Sequence, residues 1–296
     1  MVVRRAINAG SWYEGDANRL KKYMNYLFTD KEYGPGEEPK TLNLEKRTII
    51  GGVSPHAGHR YSGRCAAHTY LNLFKERIPD TVIILGTVHT MYHKIAVFPE
   101  GEWETPLGNL RVDDEFTSLL LENSNVIIGD YDAFTGYNER EHNIEIQLPF
   151  IKYCAGDKDV QIVPLKLGFR RIEQFDLCEK IAKDLVSTIK KVNKDIVIVA
   201  SSDMMHEDVY NEEYLKKFKR IEQDVVDTFV ELDPKKFFNK AVNLSICGPQ
   251  TITTMMIACK LLGAVKAKAL QHYTSCESEK TLGYCVGYFS GILLKE

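Results

Sequence analysis

The period of the apolar positions changes repeatedly along the chain, and each change marks an element. Leu20, Tyr23, Met24 and Leu27 recur at helical spacing behind Asp16, a residue type that caps helices, so a helix is predicted over 16–28. The stretch 30–45, with KEYGPGEEPK inside it, concentrates glycine, proline and charge and reads as a surface loop. From Arg47 onward, short β-branched runs at 48–53, 81–85, 95–98, 125–128, 161–167 and 196–200 read as strands. Between them, 63–77, 113–122 and 171–192 carry helical periodicity with charged outer faces. After Ser201 the pattern turns more helical (212–232, 234–242, 250–262), and two final strands, 264–272 and 283–292, have the order of a hairpin extending the same sheet. Strands alternating with amphipathic helices predict an α/β fold, a three-layer domain whose largely parallel mixed sheet is covered by helices on both faces. No repeat or low-complexity tract divides the chain, so one domain over 1–296 is expected.

Composition narrows the functional classes. A hydrophobic content of 44% beside 27% charged residues excludes disorder and a collagen-like chain, and predicts a sizeable core. The net charge is -3, with lysine and arginine dispersed among acids, so nucleic acid is not an expected partner. The opening MVVRRAINAG lacks a following apolar leader segment and no apolar run reaches spanning length, so the expectation is a cytoplasmic protein with no membrane partner. Seven cysteines without a CxxC pair argue against a disulfide framework and a closed structural zinc site.

The candidate chemistry lies where strands end. Strand 48–53 runs into Ser54-Pro55-His56, strand 81–85 into Gly86-Thr87-Val88-His89, and strand 196–200 into Ser201-Ser202-Asp203-Met204-Met205-His206. In open α/β sheets ligands bind beyond the carboxyl ends of the strands, so these three histidines should converge. A lone histidine after a strand is most often a hydrogen-bonded structural residue; three at equivalent positions favour metal ligation or proton transfer. His59, His68, His93 and His272 lack this placement and read as surface or packing residues. Cys247, at a Gly-Pro break before the helix 250–262, is placed either as a low-pKa nucleophile or metal ligand, or as a small core residue. On a helix, Glu141, His142 and Glu145 would share one turn, an arrangement that a solvated helix face also explains. Trp12 either lines a pocket or anchors the N-terminus, anchoring being the commoner case. Trp12, Tyr61, His142 and Glu145 are the candidate pocket-lining residues. No GxGxxG after a strand, no GxxxxGK[ST] and no GxSxG occurs, which leaves nucleotide-dependent chemistry and serine hydrolysis without support.

Ala9-Gly10-Ser11-Trp12-Tyr13, Pro55-His56-Ala57-Gly58, Leu85-Gly86-Thr87 with His89, Glu141-His142 before Glu145 and Leu148-Pro149, Ser201-Ser202-Asp203 with His206, and Ile246-Cys247-Gly248 together resemble the Memo family over nearly the whole chain. The resemblance implies a fold similar to class III extradiol dioxygenases, which hold Fe(II) with two histidines and a carboxylate and use a further histidine as acid/base. It places His56 and His89 at the histidine-ligand positions, His206 at the acid/base position, and Cys247 where those enzymes have glutamate. A thiolate there shifts metal preference toward softer or borderline ions, so iron or copper is the expected cofactor, with zinc a third candidate, and ring-cleaving dioxygenase activity is not expected. Animal members carry a cysteine where this chain has Met205; their link to motility signalling and phosphotyrosine peptides has no counterpart encoded here. Prokaryotic relatives imply a functional link to a radical-SAM protein. The leading expectation is therefore a metal-dependent redox protein with His56, His89 and Cys247 as ligands and His206, oriented by Asp203, moving protons. The rivals are a metal-free pocket for a small anionic ligand or peptide, and an enzyme whose nucleophile, Cys247, is activated by His206.

Overall fold

The computed structural model describes residues 2–169 and 174–296. Its strands are β1 (Val3–Arg4), β2 (Ile49–Ser54), β3 (Thr81–Gly86), β4 (Ile95–Val97), β5 (Glu102–Trp103), β6 (Leu110–Arg111), β7 (Ile127–Gly129), β8 (Gln161–Leu167), β9 (Ile196–Ser201), β10 (His206–Val209), β11 (Ala264–Thr274) and β12 (Gly283–Lys295). Its helices are α1 (Ala17–Thr29), α2 (His59–Lys75), α3 (Asp114–Asn123), α4 (Leu148–Ala155), α5 (Phe175–Ile189), α6 (Glu212–Val230), α7 (Pro234–Ala241), α8 (Pro249–Leu261) and α9 (Ser275–Glu279).

The main sheet has the order β10-β12-β2-β9-β3-β8-β4-β7, with β11 paired to β12 outside that path. Its centre, β2-β9-β3-β8, is parallel. Antiparallel β12 joins one side and antiparallel β4 the other, so the sheet is mixed. Side-chain alternation divides the central strands between two cores, as the period of a strand requires. Ile83, Leu85, Val163, Leu165, Ile198 and Ala200 face a layer built from α3 and α5 to α8. Val82, Ile84, Ile162, Val197 and Val199 face α1, α2 and α4. The helices approach β2 closely: a Cβ on Gly51 would stand 2.5 Å from Cys259 Sγ on α8, and one on Gly52 2.7 Å from Thr69 Cγ2 on α2. Only glycines leave room for both contacts. Among the described residues no helix is long and apolar enough to cross a membrane.

The expected α/β architecture with helices on both faces of a largely parallel mixed sheet is what the chain forms, and both C-terminal strands join it. Three local expectations are corrected, and a fourth falls in part outside the described residues. The strand expected at 125–128 forms two residues later, as β7. The start of the helix expected over 171–192 falls at residues 171–173, outside the described residues; the described helix is α5. Residues 141–144 lie between short 3-10 turns and are not helical. The loop 30–45 is partly docked: the Tyr33 ring packs on Tyr273 with centroids 4.6 Å apart, and its carbonyl lies 3.1 Å from His68 Nε2.

Candidate metal centre

β2, β3 and β9 are parallel, so His56, His89 and the 202–206 turn emerge on one side of the sheet. Asp203 ties two of these ends together. Its Oδ1 accepts the backbone N–H of His56 at 2.6 Å and of Ala57 at 3.1 Å, and its own carbonyl accepts the Cys247 N–H at 3.3 Å. Thr87, at the end of β3, donates its hydroxyl to the Cys247 carbonyl at 3.0 Å, and Ser202 Oγ accepts the Gly248 N–H at 2.9 Å. Two strand ends, those of β3 and β9, therefore fix the backbone that presents the Cys247 thiol, one residue before the cap of α8.

The hydrogen-bond partners assign the histidine tautomers. Gln147 is fully buried; its Oε1 accepts the hydroxyls of Ser54 (2.8 Å) and Tyr70 (2.9 Å), while its Nε2 donates to the Pro55 carbonyl (3.0 Å) and Ser201 Oγ (2.9 Å). Ser201 spends its hydroxyl proton on the Asn143 carbonyl at 2.7 Å. Its oxygen can then only accept from His56 Nδ1, 3.1 Å away, which leaves the lone pair of His56 on Nε2. His89 reaches the same state by another route, its Nδ1 donating to Glu141 at 3.0 Å. The Nδ1 of His206 donates to the Ser245 carbonyl at 3.1 Å, a partner that can only accept. All three imidazoles thus keep Nε2 as the electron-pair donor.

These nitrogens meet the thiol. One nitrogen each of His56 and His89 and the Cys247 sulfur all lie within 4.8 Å of one another. His89 Nε2 is 3.5 Å and His206 Nε2 3.7 Å from Sγ. His56 Nε2 is buried and has no hydrogen-bond partner. Burial, and the other histidines around it, hold the His56 imidazole well below its ordinary pKa, so it stays neutral.

Glu141 supports the centre from behind. Burial alone would raise its carboxyl, but the hydrogen bond from His89 and the nearby Lys166 ammonium hold it well below the carboxylate range. Its Oε1 accepts the N–H groups of His142 (2.9 Å) and Asn143 (3.2 Å), and its Oε2 that of His89 (2.7 Å). Glu141, His89 and His142 are also close enough to share an ion, but these bonds commit the carboxylate to orienting His89. For Asp203, burial pushes the carboxyl up, against the opposing pull of His206 and the two backbone N–H groups. Its Oδ2, 4.0 Å from His206 Nε2, is a place to hold a proton.

A cleft of about 790 Å³ opens over this centre, lined at its base by His56, His89, His206 and Cys247. One wall is a stack of rings: Trp12 lies 3.8 Å from His142 between centroids, and His142 5.0 Å from His89. Burial pushes the His142 imidazole down to about 4, so that ring is neutral as well. Tyr61 stands on the lip. Trp12, Tyr61, His142, His206 and Asp203 are thus brought to the cleft together with the three proposed ligands. Glu145 is not, and its expected pocket-lining role is corrected. Because 141–144 are not helical, its buried carboxylate turns away to Arg4 Nη1 (2.5 Å), the Asn8 side chain (2.8 Å) and the Tyr13 hydroxyl (2.9 Å). Sequence reasoning missed Gln147 altogether, quoted Ser201 within the Ser201-Ser202-Asp203 motif without giving it a role, and did not separate Glu141 from its neighbours. A glutamine one residue before Leu148-Pro149 carries no pattern that marks it as a hub. His59, expected as a surface or packing residue, packs in the core, with Nε2 3.0 Å from the Ile146 carbonyl.

A family model described as "Memo-like protein" matches residues 4–292. A MEMO1 family protein of Desulfurococcus amylolyticus is 37% identical over 97% of this chain and 98% of its own length. A MEMO1 family protein of Pyrococcus furiosus is 34% identical over 99% of this chain and its full length. One of Methanobrevibacter smithii is 33% identical, with 98% and 99% covered.

Proposed function

The chain belongs to the Memo family, and from that premise we propose that its cleft is a redox-type metal centre in which His56 Nε2, His89 Nε2 and Cys247 Sγ hold one iron or copper ion. The observation that carries this reading is the buried, unpartnered His56 Nε2. A buried polar nitrogen left without a partner costs about 1–3 kcal/mol, a cost an ion removes. The donor set fits: two imidazoles locked with Nε2 outward and one thiol suit soft or borderline ions, and the missing carboxylate speaks against ring-cleaving dioxygenase chemistry.

When bound, the ion supplies one-electron transfer and polarises a ligand at an open position. The remaining chemistry belongs to the chain. Cys247 must lose its proton to ligate, and once His89 Nε2 is committed to the ion, His206 Nε2 is the base left within reach at 3.7 Å. Asp203 Oδ2 then serves as the adjoining proton store, while the Ser245 carbonyl fixes which His206 nitrogen faces the cleft.

Protein purified without a tag or chelator should carry near-stoichiometric iron or copper by elemental analysis, and stripped protein should rebind Fe(II) or Cu(I). Cys247→Ser should weaken binding at least tenfold, because a hydroxyl is a poor ligand for a soft ion. Absence of metal and failure to rebind either ion would sink the proposal. The Cys247–His206 contact also supports a cysteine nucleophile. In that case iodoacetamide would label Cys247 at the same rate with and without metal, whereas a ligand thiol is protected by it.

A further inference from the structure

The cleft offers carboxylates, imidazoles and hydroxyls but no cationic side chain along its described lining. Its base presents imidazole Nε2 lone pairs and the Asp203 carboxylate, its lip presents the Glu279 carboxylate, and among the described residues that line it there is no lysine or arginine. The upper walls are aromatic and face solvent: Trp12, Tyr61 and Tyr284 are 37%, 41% and 66% exposed. Exposed rings beside a carboxylate attract cations and repel anions.

The lip already holds such a group. Arg60, on α2, has its guanidinium carbon 5.6 Å from the centre of the Tyr61 ring and Nη2 2.9 Å from Glu279 Oε2, although its own side chain is 72% exposed. An exposed arginine is held weakly and can be displaced. The guanidinium therefore shows the kind of group this lip accepts.

We propose that the cleft takes an organic cation, an amine or guanidine carried on a flat apolar body, with its charge at the lip between Glu279 and Tyr61 and its apolar part along Trp12 and Tyr284. This names the ligand class for the proposed centre and rests on that reading only for what happens at the base of the cleft. It runs against a phosphate- or carboxylate-bearing ligand, for which the cation described at the lip, Arg60, is already paired with Glu279.

The test is calorimetric titration of the full chain, stripped of metal, with phenethylamine, 2-phenylethanol and 3-phenylpropanoate, three ligands of one shape and different charge. A surface ion pair and an exposed cation–π contact together are worth roughly a factor of ten, so the amine should bind about tenfold more tightly than the carboxylate, with the alcohol between them. Glu279→Gln should narrow the gap to about threefold, while Arg60→Ala, which frees Glu279, should strengthen amine binding. Equal or tighter binding of 3-phenylpropanoate, no binding of the amine, or a gap indifferent to Glu279→Gln would each overturn the proposal. Because these titrations use metal-free protein, a failed metal-binding experiment leaves their outcome intact, and the reverse holds too.

Discussion

Ser201 shows how much of the centre depends on a buried residue that stands behind a proposed ligand rather than at the ion. Its one proton goes to Asn143, so its oxygen must receive one from His56, and the His56 lone pair points to the cleft as a result. Ser201→Ala should leave Nδ1 without an acceptor and allow the other tautomer, lowering metal affinity roughly 10- to 100-fold, the usual cost of losing a partner that orients a ligand. Nitrogen NMR of the His56 ring in metal-free protein checks this: a shift of the protonated site from Nδ1 toward Nε2 is expected, and an unchanged tautomer with unchanged affinity would show the hydroxyl to be dispensable. His56, His89 and His206 were legible in the sequence because strand ends in a parallel sheet share a side, a rule needing only order and period. Ser201 and Gln147 were not, because their roles arise from hydrogen bonds across 145 and 54 positions of chain.

At the scale of elements, the short segment from β1 to Tyr13 acts as a strap that brings Trp12 to the cleft. Arg4, 2% exposed, pairs with the fully buried Glu145 and donates to the Phe134 and Glu141 carbonyls, both at 3.1 Å. The carboxylate also receives the Asn8 N–H at 2.8 Å, and the Trp12 carbonyl accepts the His59 N–H at 2.9 Å. Glu145→Ala strands a buried guanidinium and should cost about 3–5 kcal/mol. Urea unfolding should register that loss, and the emission of Trp12 should shift red as its stack on His142 loosens. An unchanged midpoint would mean that the strap is held by its backbone contacts alone. β1, β5 and β6 escaped the sequence because a two-residue strand has no period to read. Glu145 was misassigned for a related reason: helical spacing was extended through 141–145, where the chain runs between two short 3-10 turns and sends neighbouring carboxylates to opposite tasks.

For the whole molecule, the alternation of strand and helix patterns was enough to predict the layers, since each central strand divides its side chains between two cores. Burying the middle of such a molecule also buries histidines, and this sets its response to acid. Burial depresses His59 to about 4 and His142 to about 4, and holds His56 well below its ordinary value. Above pH 6.5 these imidazoles are neutral in both the folded and unfolded chain and contribute nothing to pH dependence. Between pH 6.5 and about 4 the unfolded chain takes up protons that the folded one refuses, so stability falls as pH falls. Each full shift from 6.5 to 4 is worth roughly 3 kcal/mol, a large share of the 5–15 kcal/mol typical of a folded protein. Glu141, held below the carboxylate range, adds a further loss at lower pH, where protonation breaks its bonds to His89. Metal-free protein should therefore show urea midpoints that drop steeply from pH 7.5 through 6.0 to 5.0. His59→Gln, whose amide can still donate to the Ile146 carbonyl, should make that slope shallower by about one proton, because one refused titration has been removed. A midpoint constant from pH 7.5 to 5.0 in the parent chain would mean that water or local opening lets these histidines protonate without unfolding, and the neutral, lone-pair-outward set at the base of the cleft would then need revision.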